Sequence, residues 1–235
     1  MRAILDGDIL AYRAAFWADS EGSDWLESRI DDDLKRWTPP LCTDICVALS
    51  CRRDDNFRRD YYKQYKLNRS DKPSPDNLPL AFEILKDKCK IMLIPRLEAD
   101  DIIGIEQSAL RMIGVTIDKD LKQIPGYSFY PRITATDEAG EVQYTDVDTA
   151  NWWFHRQWIT GDSTDNIGGI WKIGPKKAED LLNSTSKRNH TPLVLSLYER
   201  RKNKEGQSYT YEDALAMARA VRILRDGEYS LPWEP

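Results

Sequence analysis

The chain has 235 residues, 41% of them hydrophobic, enough for one large domain or a domain plus a small module; its 31% charged residues are mixed in sign, which excludes a disordered polyelectrolyte. It has no run of about 18 apolar residues to span a membrane, and acids at Asp6 and Asp8 break the apolar N-terminus, unlike a signal peptide. A soluble, cytoplasmic protein with no membrane partner is expected. The net charge of −5 would argue against a nucleic-acid partner only if the acids were spread evenly; setting aside nine that fall in clusters leaves +4.

In chain order, "RAIL" (2–5) reads as a buried strand, and "DILAYRAAFW" (8–17) and "DWLESRIDDDLKRW" (24–37) as helices. "CTDICVAL" (42–49) is a second strand, followed by a basic stretch over 52–72 and a helix "LPLAFEILKDKC" (78–89). "KIMLI" (90–94), helix "ADDIIGIEQSALRMI" (99–113) and strand "GVTI" (114–117) continue the alternation, which predicts an α/β core with a parallel sheet. Segment 132–146 looks like a hairpin with Ala139-Gly140 in its turn, and "PLVLSLYERRKN" and "TYEDALAMARAVRILRDG" (210–227) are amphipathic helices. Loops are expected at 19–24 and 69–79. The expected organisation is a core over 1–158, with a basic arch region near 52–80, and a helical region over 159–235 packed with it as one unit. Cys42, Cys46, Cys51 and Cys89 form no CxxC pair, and His155 and His190 lie far from them, so reduced cysteines are expected rather than zinc ligands.

The acids fall where α/β sheets keep their ligands, beyond the carboxyl ends of strands. Asp6 and Asp8 follow the first strand; Asp118 and Asp120 follow "GVTI" and would point the same way if the chain stays extended. "LEADDIIG" adds Glu98, Asp100 and Asp101 at a helix start, where Glu98 must precede the regular helix to share an ion with Asp100. Asp162 and Asp165, three apart, meet in a turn. Crowded carboxylates raise one another's pKa. Hard divalent cations relieve that cost, and all-oxygen ligands suit Mg2+ or Mn2+. Enough acids for two ions suggests a two-metal site acting on a phosphodiester. Capped helices and solvated acids are the bland alternative for any single pair.

The adjoining "GGIWKIGPKKAEDLL" is of opposite character. Glycines at 168, 169 and 174 allow close backbone approach, Pro175 suits a first helical turn, and the helix N–H groups with Lys176 and Lys177 would attract phosphate. In 52–72, eight Lys/Arg, including Arg58, Lys63, Lys66 and Arg69, interleave with Phe57, Tyr61, Tyr62 and Tyr65, a pattern that suits an unpaired nucleic-acid end. Trp152, Trp153 and Trp158 read as core.

"LEADDIIG", "IDKDLKQ" and "ITGDSTDNIGGIWKIGPKKAEDLL", with "ILDGDILAYRAAF" and "NFRRDYYKQYKLNR", resemble the 5′-nuclease family: flap endonucleases, the 5′-nuclease domains of bacterial DNA polymerases and, most similar in compactness, phage-encoded 5′→3′ exonucleases. The resemblance runs from residue 2 to about 185. It implies an arch over a parallel-sheet core and a helix–three-turn–helix module. It implies that Asp6, Glu98, Asp100, Asp101, Asp118, Asp120, Asp162 and Asp165 hold two Mg2+ or Mn2+ directly or through water. Asp118 and Asp120 would thereby be catalytic, together with Lys66 and Arg69 on the scissile phosphate. Arg58, Lys63, Gly169, Gly174, Lys176 and Lys177 would meet DNA, and backbone carbonyls near the glycines would hold K+. Two departures stand out. The family's aspartate six residues before the Phe of "FR" is Cys51 here, so that Asp54 or Asp55 substitutes or the ligand is missing; Asp8 stands where many relatives are neutral and ranks below Asp6. The expectation is a monomeric, metal-dependent 5′→3′ exonuclease on duplex DNA, in host cytoplasm if phage-encoded. A flap endonuclease is the runner-up, then a PIN-like ribonuclease or a non-enzymatic DNA-binding module. RNA–DNA hybrid is left open as a further substrate.

Overall fold

Ala3, Ile4 and Leu5 are all fully buried, so the first strand is covered on both faces. In this computed structural model, which describes residues 1–69, 73–133, 140–228 and 233–235, that strand is β1 (Arg2–Asp6), and it sits inside a six-stranded sheet. The chain runs through α1 (Gly7–Glu21), α2 (Leu26–Trp37), β2 (Asp44–Ala48), α3 (Arg58–Tyr61), α4 (Leu78–Lys88), β3 (Lys90–Met92), α5 (Ala99–Ser108), β4 (Ile113–Val115), β5 (Gly126–Phe129) and β6 (Val142–Thr145). The sheet order is β3-β2-β1-β4-β5-β6, parallel except for β6. From β1 the chain steps outward to β2 and β3, then returns to lay β4 on the other flank of β1. The order therefore reverses between β1 and β4, the point at which open α/β sheets present a crevice.

Alternation along the strands separates two cores. Ala3, Leu5 and Val47 pack with α1, α2 and α4; Ile4, Cys46 and Ala48 pack with α5, Leu121 and Ile124 on the opposite face. In α2, Leu26, Ile30, Leu34 and Trp37 are buried at helical spacing and give that element its inner stripe. A third core gathers α6 (Val147–Thr160), the short hairpin β7 (Gly161–Asp162) and β8 (Ile167–Gly168), α7 (Pro175–Asn183), α8 (His190–Arg200) and α9 (Tyr211–Val221) around Phe154, Trp158 and Tyr198. The expected division after residue 158 falls in the last turn of α6.

Three expectations change. The strand expected within 132–146 does exist at Val142–Thr145, but it pairs with Gly126–Phe129, a strand the sequence pattern did not announce; residues 134–139 of that expected hairpin lie outside the described residues. Strand β4 starts at Ile113, so α5 stops at Ser108 instead of continuing to 113. The helix expected to run to 227 ends at Val221, because the following backbone is claimed by side chains: Ile223 N–H donates to Gln123 and Leu224 N–H to Asp101. This tail lies so close to α5 that a Cβ on Gly104 would meet the Leu224 carbonyl oxygen at 2.4 Å.

The tail is tied down by a buried ion pair. Arg58 donates from both terminal nitrogens to the two oxygens of Asp101, each at 2.7 Å, and from Nε to the Ala220 carbonyl at 3.1 Å. Both residues are inside the protein, at 2% and 0% exposure. Removing one partner leaves the other charge buried without compensation. Asp101→Ala should therefore cost about 3–5 kcal/mol, read as a lowered urea midpoint, and Arg58→Met with Asp101→Leu should recover part of it. A single-variant loss below about 1 kcal/mol would remove the pair from the framework.

Candidate active site

Asp6 ends β1 and caps α1: its Oδ1 accepts the Ile9 N–H at 3.1 Å. Its Oδ2 accepts from Thr116 Oγ1 at 2.9 Å, and the same hydroxyl accepts the Asp118 N–H at 3.0 Å. One threonine thus joins the ends of β1 and β4 and fixes the spacing of two acids. The chain does not stay extended after β4. It curls into a 3-10 turn over Lys119–Gln123 with Asp118 as its cap, and Asp118 Oδ1 accepts the Asp120 N–H at 2.8 Å. Asp8, at the start of α1, accepts the Ser50 N–H at 3.2 Å. Glu98 is the extended residue ahead of α5, as sharing an ion with Asp100 requires, in a capping box with Asp101.

The last two acids arrive from the C-terminal region. Asp162 ends β7, Asp165 lies in the β7–β8 turn, and segment 62–69 is laced to that turn. Lys66 N–H donates to the Asp165 carbonyl at 2.9 Å, Asn68 to those of Ser163 and Thr164 at 3.1 and 3.3 Å, and Tyr62 O–H to that of Asn166 at 3.2 Å. Lys66 holds a left-handed backbone, φ 53°, uncommon outside glycine. Its ammonium sits 2.7 Å from Glu98 Oε1 and 3.5 Å from Asp165 Oδ2, and Arg69 pairs with Asp165. Tyr65 O–H donates to Glu98 Oε2 at 2.6 Å and stands 3.2 Å from Asp165 Oδ2.

The charges feel one another strongly. Burial, then Asp8 and Asp118, push the Asp6 carboxyl up to about 7. Burial, then Asp118 and Asp162, push Asp120 up to about 7. Asp100 is raised well above the usual carboxylate range by burial, Asp6 and Asp118. Asp118 is thus the common neighbour of Asp6, Asp100 and Asp120. Burial also raises Asp8, and it raises Asp165 despite Lys66 and Arg69. For Glu98 burial is outweighed by Lys66 and Arg58, which hold it at about 2; the lysine stands closer to Glu98 than to Asp165. Carboxylates that repel one another, with no sulfur or imidazole among them, fit a hard divalent cation. As the side chains stand, no three His, Cys, Asp or Glu among the described residues are arranged to hold an ion; Glu98 and Asp165 are paired with Lys66 and Arg69.

Beside the hairpin the surface turns basic. Gly174 caps α7, and Pro175 opens it. A Cβ on Gly174 would meet nothing within 4 Å, so the helix N-terminus lies open, with Lys176 and Lys177 exposed. Gly169 is glycine for another reason: a Cβ there would meet the Thr160 carbonyl oxygen at 2.2 Å.

A model of the 5′-3′ exonuclease N-terminal, resolvase-like domain matches residues 2–147, more than half of the chain. The chain belongs to this family. The 5′-3′ exonuclease of Buchnera aphidicola subsp. Acyrthosiphon pisum is 32% identical over 169 residues, covering 67% of this chain and 58% of its own. The exonuclease of Escherichia phage T7 is 27% identical over 204 residues, 77% and 66% of the two chains. DNA polymerase I of Caldicellulosiruptor bescii is 28% identical over 208 residues, and the chain spans only 24% of it. Among solved structures, zinc-bound T5 5′-exonuclease shares the fold at a TM-score of 0.64 and 17% identity, covering 94% of this chain and 89% of that one. A T5 flap endonuclease pseudo-enzyme–product complex with DNA and metal ions gives 0.60 and 17%, over 94% and 85%.

Against the family pattern, Asp6, Asp8, Glu98, Asp100, Asp118, Asp120, Asp162 and Asp165 gather at the sheet's switch point. Four expected roles do not fit the geometry. Asp101 and Arg58 are given to each other in the interior, so neither is free for an ion or for DNA. Asp54 pairs with Arg59 at 2.9 Å and has 91% of its side chain exposed. Phe57 and Tyr65 are buried, at 1% and 3%, and offer no stacking face. Cys51 does lie beside the site: burial, Glu98 and Asp101 push its thiol up to about 11. Of the two acids expected to substitute, Asp55 is the one that also raises the Cys51 thiol, whereas Asp54 pairs with Arg59. Lys63 is exposed, and Lys72 lies outside the described residues. Sequence reasoning missed Thr116, Ser50 and the acid-bridging role of Tyr65; a hydroxyl directly after a strand and two residues before an acid was the only signal for Thr116.

Asp120 has an ordinary carboxyl pKa of 3.8 when exposed and about 7 in the fold. Between those values the unfolded chain has released a proton that the folded chain keeps, so stability falls as pH rises through the window. In chelator, Asp120→Asn should stabilise the protein at pH 8 by on the order of 3 kcal/mol, with the gain shrinking toward pH 4. Thermal unfolding at both pH values reads it, and no gain at pH 8 would disprove the crowding.

Proposed function

We propose that this chain is a divalent-metal-dependent 5′→3′ exonuclease that hydrolyses duplex DNA from 5′ ends. The observation that carries the proposal is the convergence of carboxylates from four separate loops on the β1–β4 switch point, flanked by Lys66 and Arg69, in a chain of the 5′-3′ exonuclease family. Cutting at a 5′ flap is the second reading, favoured by the fold shared with a T5 flap endonuclease.

In this reading Asp6, Asp8, Glu98, Asp100, Asp118, Asp120, Asp162 and Asp165 hold two Mg2+ or Mn2+. Such ions supply positive charge to the attacking and leaving oxygens of the phosphodiester. Lys66 and Arg69 turn from Glu98 and Asp165 to the scissile phosphate and stabilise its developing charge. Tyr65 and Thr116 keep the acids in register. The helix–three-turn–helix character of α6, the hairpin and α7 gives the duplex its grip: the open α7 N-terminus, Gly174, Lys176 and Lys177 take phosphates. The same reading assigns K+ to backbone carbonyls of the turn before α7. It includes RNA–DNA hybrid as a further duplex to be tested, action as a monomer, and a cytoplasmic location; among the described residues no helix is long and apolar enough to cross a membrane.

End-labelled duplex, flap and hybrid digested with Mg2+ should give short products from 5′ ends. Asp118→Ala or Asp162→Ala should abolish cleavage and leave DNA binding unchanged or tighter, since negative charge beside the phosphates is lost; full activity in either would sink the metal assignment. The two basic pairs should fail differently. Lys176→Ala with Lys177→Ala removes contacts equal in ground and transition states, so KM rises and kcat holds. Lys66→Ala with Arg69→Ala removes charge at the reacting phosphate, so kcat at saturation drops on the order of a hundredfold. Single-turnover cleavage beside binding in Ca2+ separates them, and a Lys66/Arg69 variant that loses affinity alone would refute the division.

A further inference from the structure

The hairpin and α7 are joined by a tight turn. Ile173 N–H donates to the Ile170 carbonyl at 3.0 Å, so Trp171 and Lys172 are the two central residues. Ile170 and Ile173 are buried at 2% and 4% and anchor the turn's feet. Lys172 takes the left-handed position, φ 63°, where turns of this kind favour glycine or asparagine. Trp171 N–H donates to Tyr209 O–H at 3.2 Å, which fixes the backbone from the α9 side. The result is a tryptophan held out at a turn tip, 42% exposed, while Trp158 is wholly buried. Its indole N–H has no protein acceptor among the described residues. From Trp171 to Ala178 the sequence is WKIGPKKA, with three exposed lysines and no acid. A rigid, amphipathic ring among lysines beside an open helix N-terminus is complementary to a polyanion that also offers apolar surface. Duplex DNA does so at the deoxyribose edges of its minor groove.

We infer that Trp171 is a duplex-contacting residue: its indole packs on the minor-groove sugar edge of the DNA while Lys172, Lys176 and Lys177 take the neighbouring phosphates. The inference rests on the proposed DNA-degrading function and adds a contact that phosphate attraction does not supply. An apolar contact and an ionic one respond differently to salt, because only the ionic one releases counterions. Binding of a blunt duplex in Ca2+ across a salt series is therefore the test. Trp171→Ala should weaken binding about tenfold, of the size of an aromatic contact to nucleic acid, and leave the slope of log affinity against log salt unchanged. Lys176→Ala should flatten that slope by about 0.9. Trp171→Phe keeps an aromatic face, should bind within about threefold of the parent, and guards against a folding defect in the alanine variant. Parental affinity in Trp171→Ala, or a loss accompanied by a flatter slope, overturns the contact. If Trp171→Ala instead dissolves a DNA-free dimer seen by sedimentation, the patch joins copies of the chain and the inference is wrong. A parent chain that binds no duplex overturns the functional reading itself; one that binds and cuts beside a neutral Trp171 overturns this inference alone.

Discussion

Gathering acids at one end of a sheet is opposed by their own repulsion, and the rest of the structure is arranged around that constraint. Asp6, Asp100 and Asp120 each carry the burden as a raised pKa, with Asp118 as the neighbour they share. The opposing forces are local and specific. Thr116 bridges two strand ends, the capping box of α5 orients Glu98, and Lys66 with Arg69 neutralises Glu98 and Asp165. Behind them, Arg58 and Asp101 neutralise each other in the interior. That pair binds α3, α5 and the C-terminal tail into a single support under the site.

The buried pair also explains why a reading by motif gave Asp101 and Arg58 a wrong place. Both look like surface chemistry in one dimension: an acid in a run of acids, an arginine in a basic stretch. Only the tertiary fold brings residue 58 beside residue 101 and beneath residues 220–224. The interleaved aromatics mislead in the same way. Phe57 and Tyr65 alternate with basic residues because the segment lies over a core, not because it exposes rings.

What was legible came from periodicity and from the ends of strands. The positions of β1, β2, β3 and β4 follow from short apolar runs, and Asp6 and Asp118 follow from standing just beyond two of them. Glu98 as the residue ahead of α5, and Pro175 as the opening of α7 after Gly174, follow from helix-start chemistry. Strand β5 was not legible: "GYSF" is short and half polar, and it is a strand because β4 and β6 flank it. The end of α9 was not legible either, since "VRILRDG" has good helical periodicity and is drawn out by partners a hundred or more positions earlier in the chain.

The lacing of residues 62–69 to residues 163–166 has a consequence for how the site comes into being. Its hydrogen bonds join partners about a hundred positions apart, and closing so long a loop has little reward until both partners exist. A chain leaving the ribosome makes β1, β2, β3 and β4 first and can begin to pair them early. Lys66, Tyr65 and Glu98 meanwhile lack Asp165 and the turn that holds it. The acidic cluster is thus completed only after the hairpin has been synthesised.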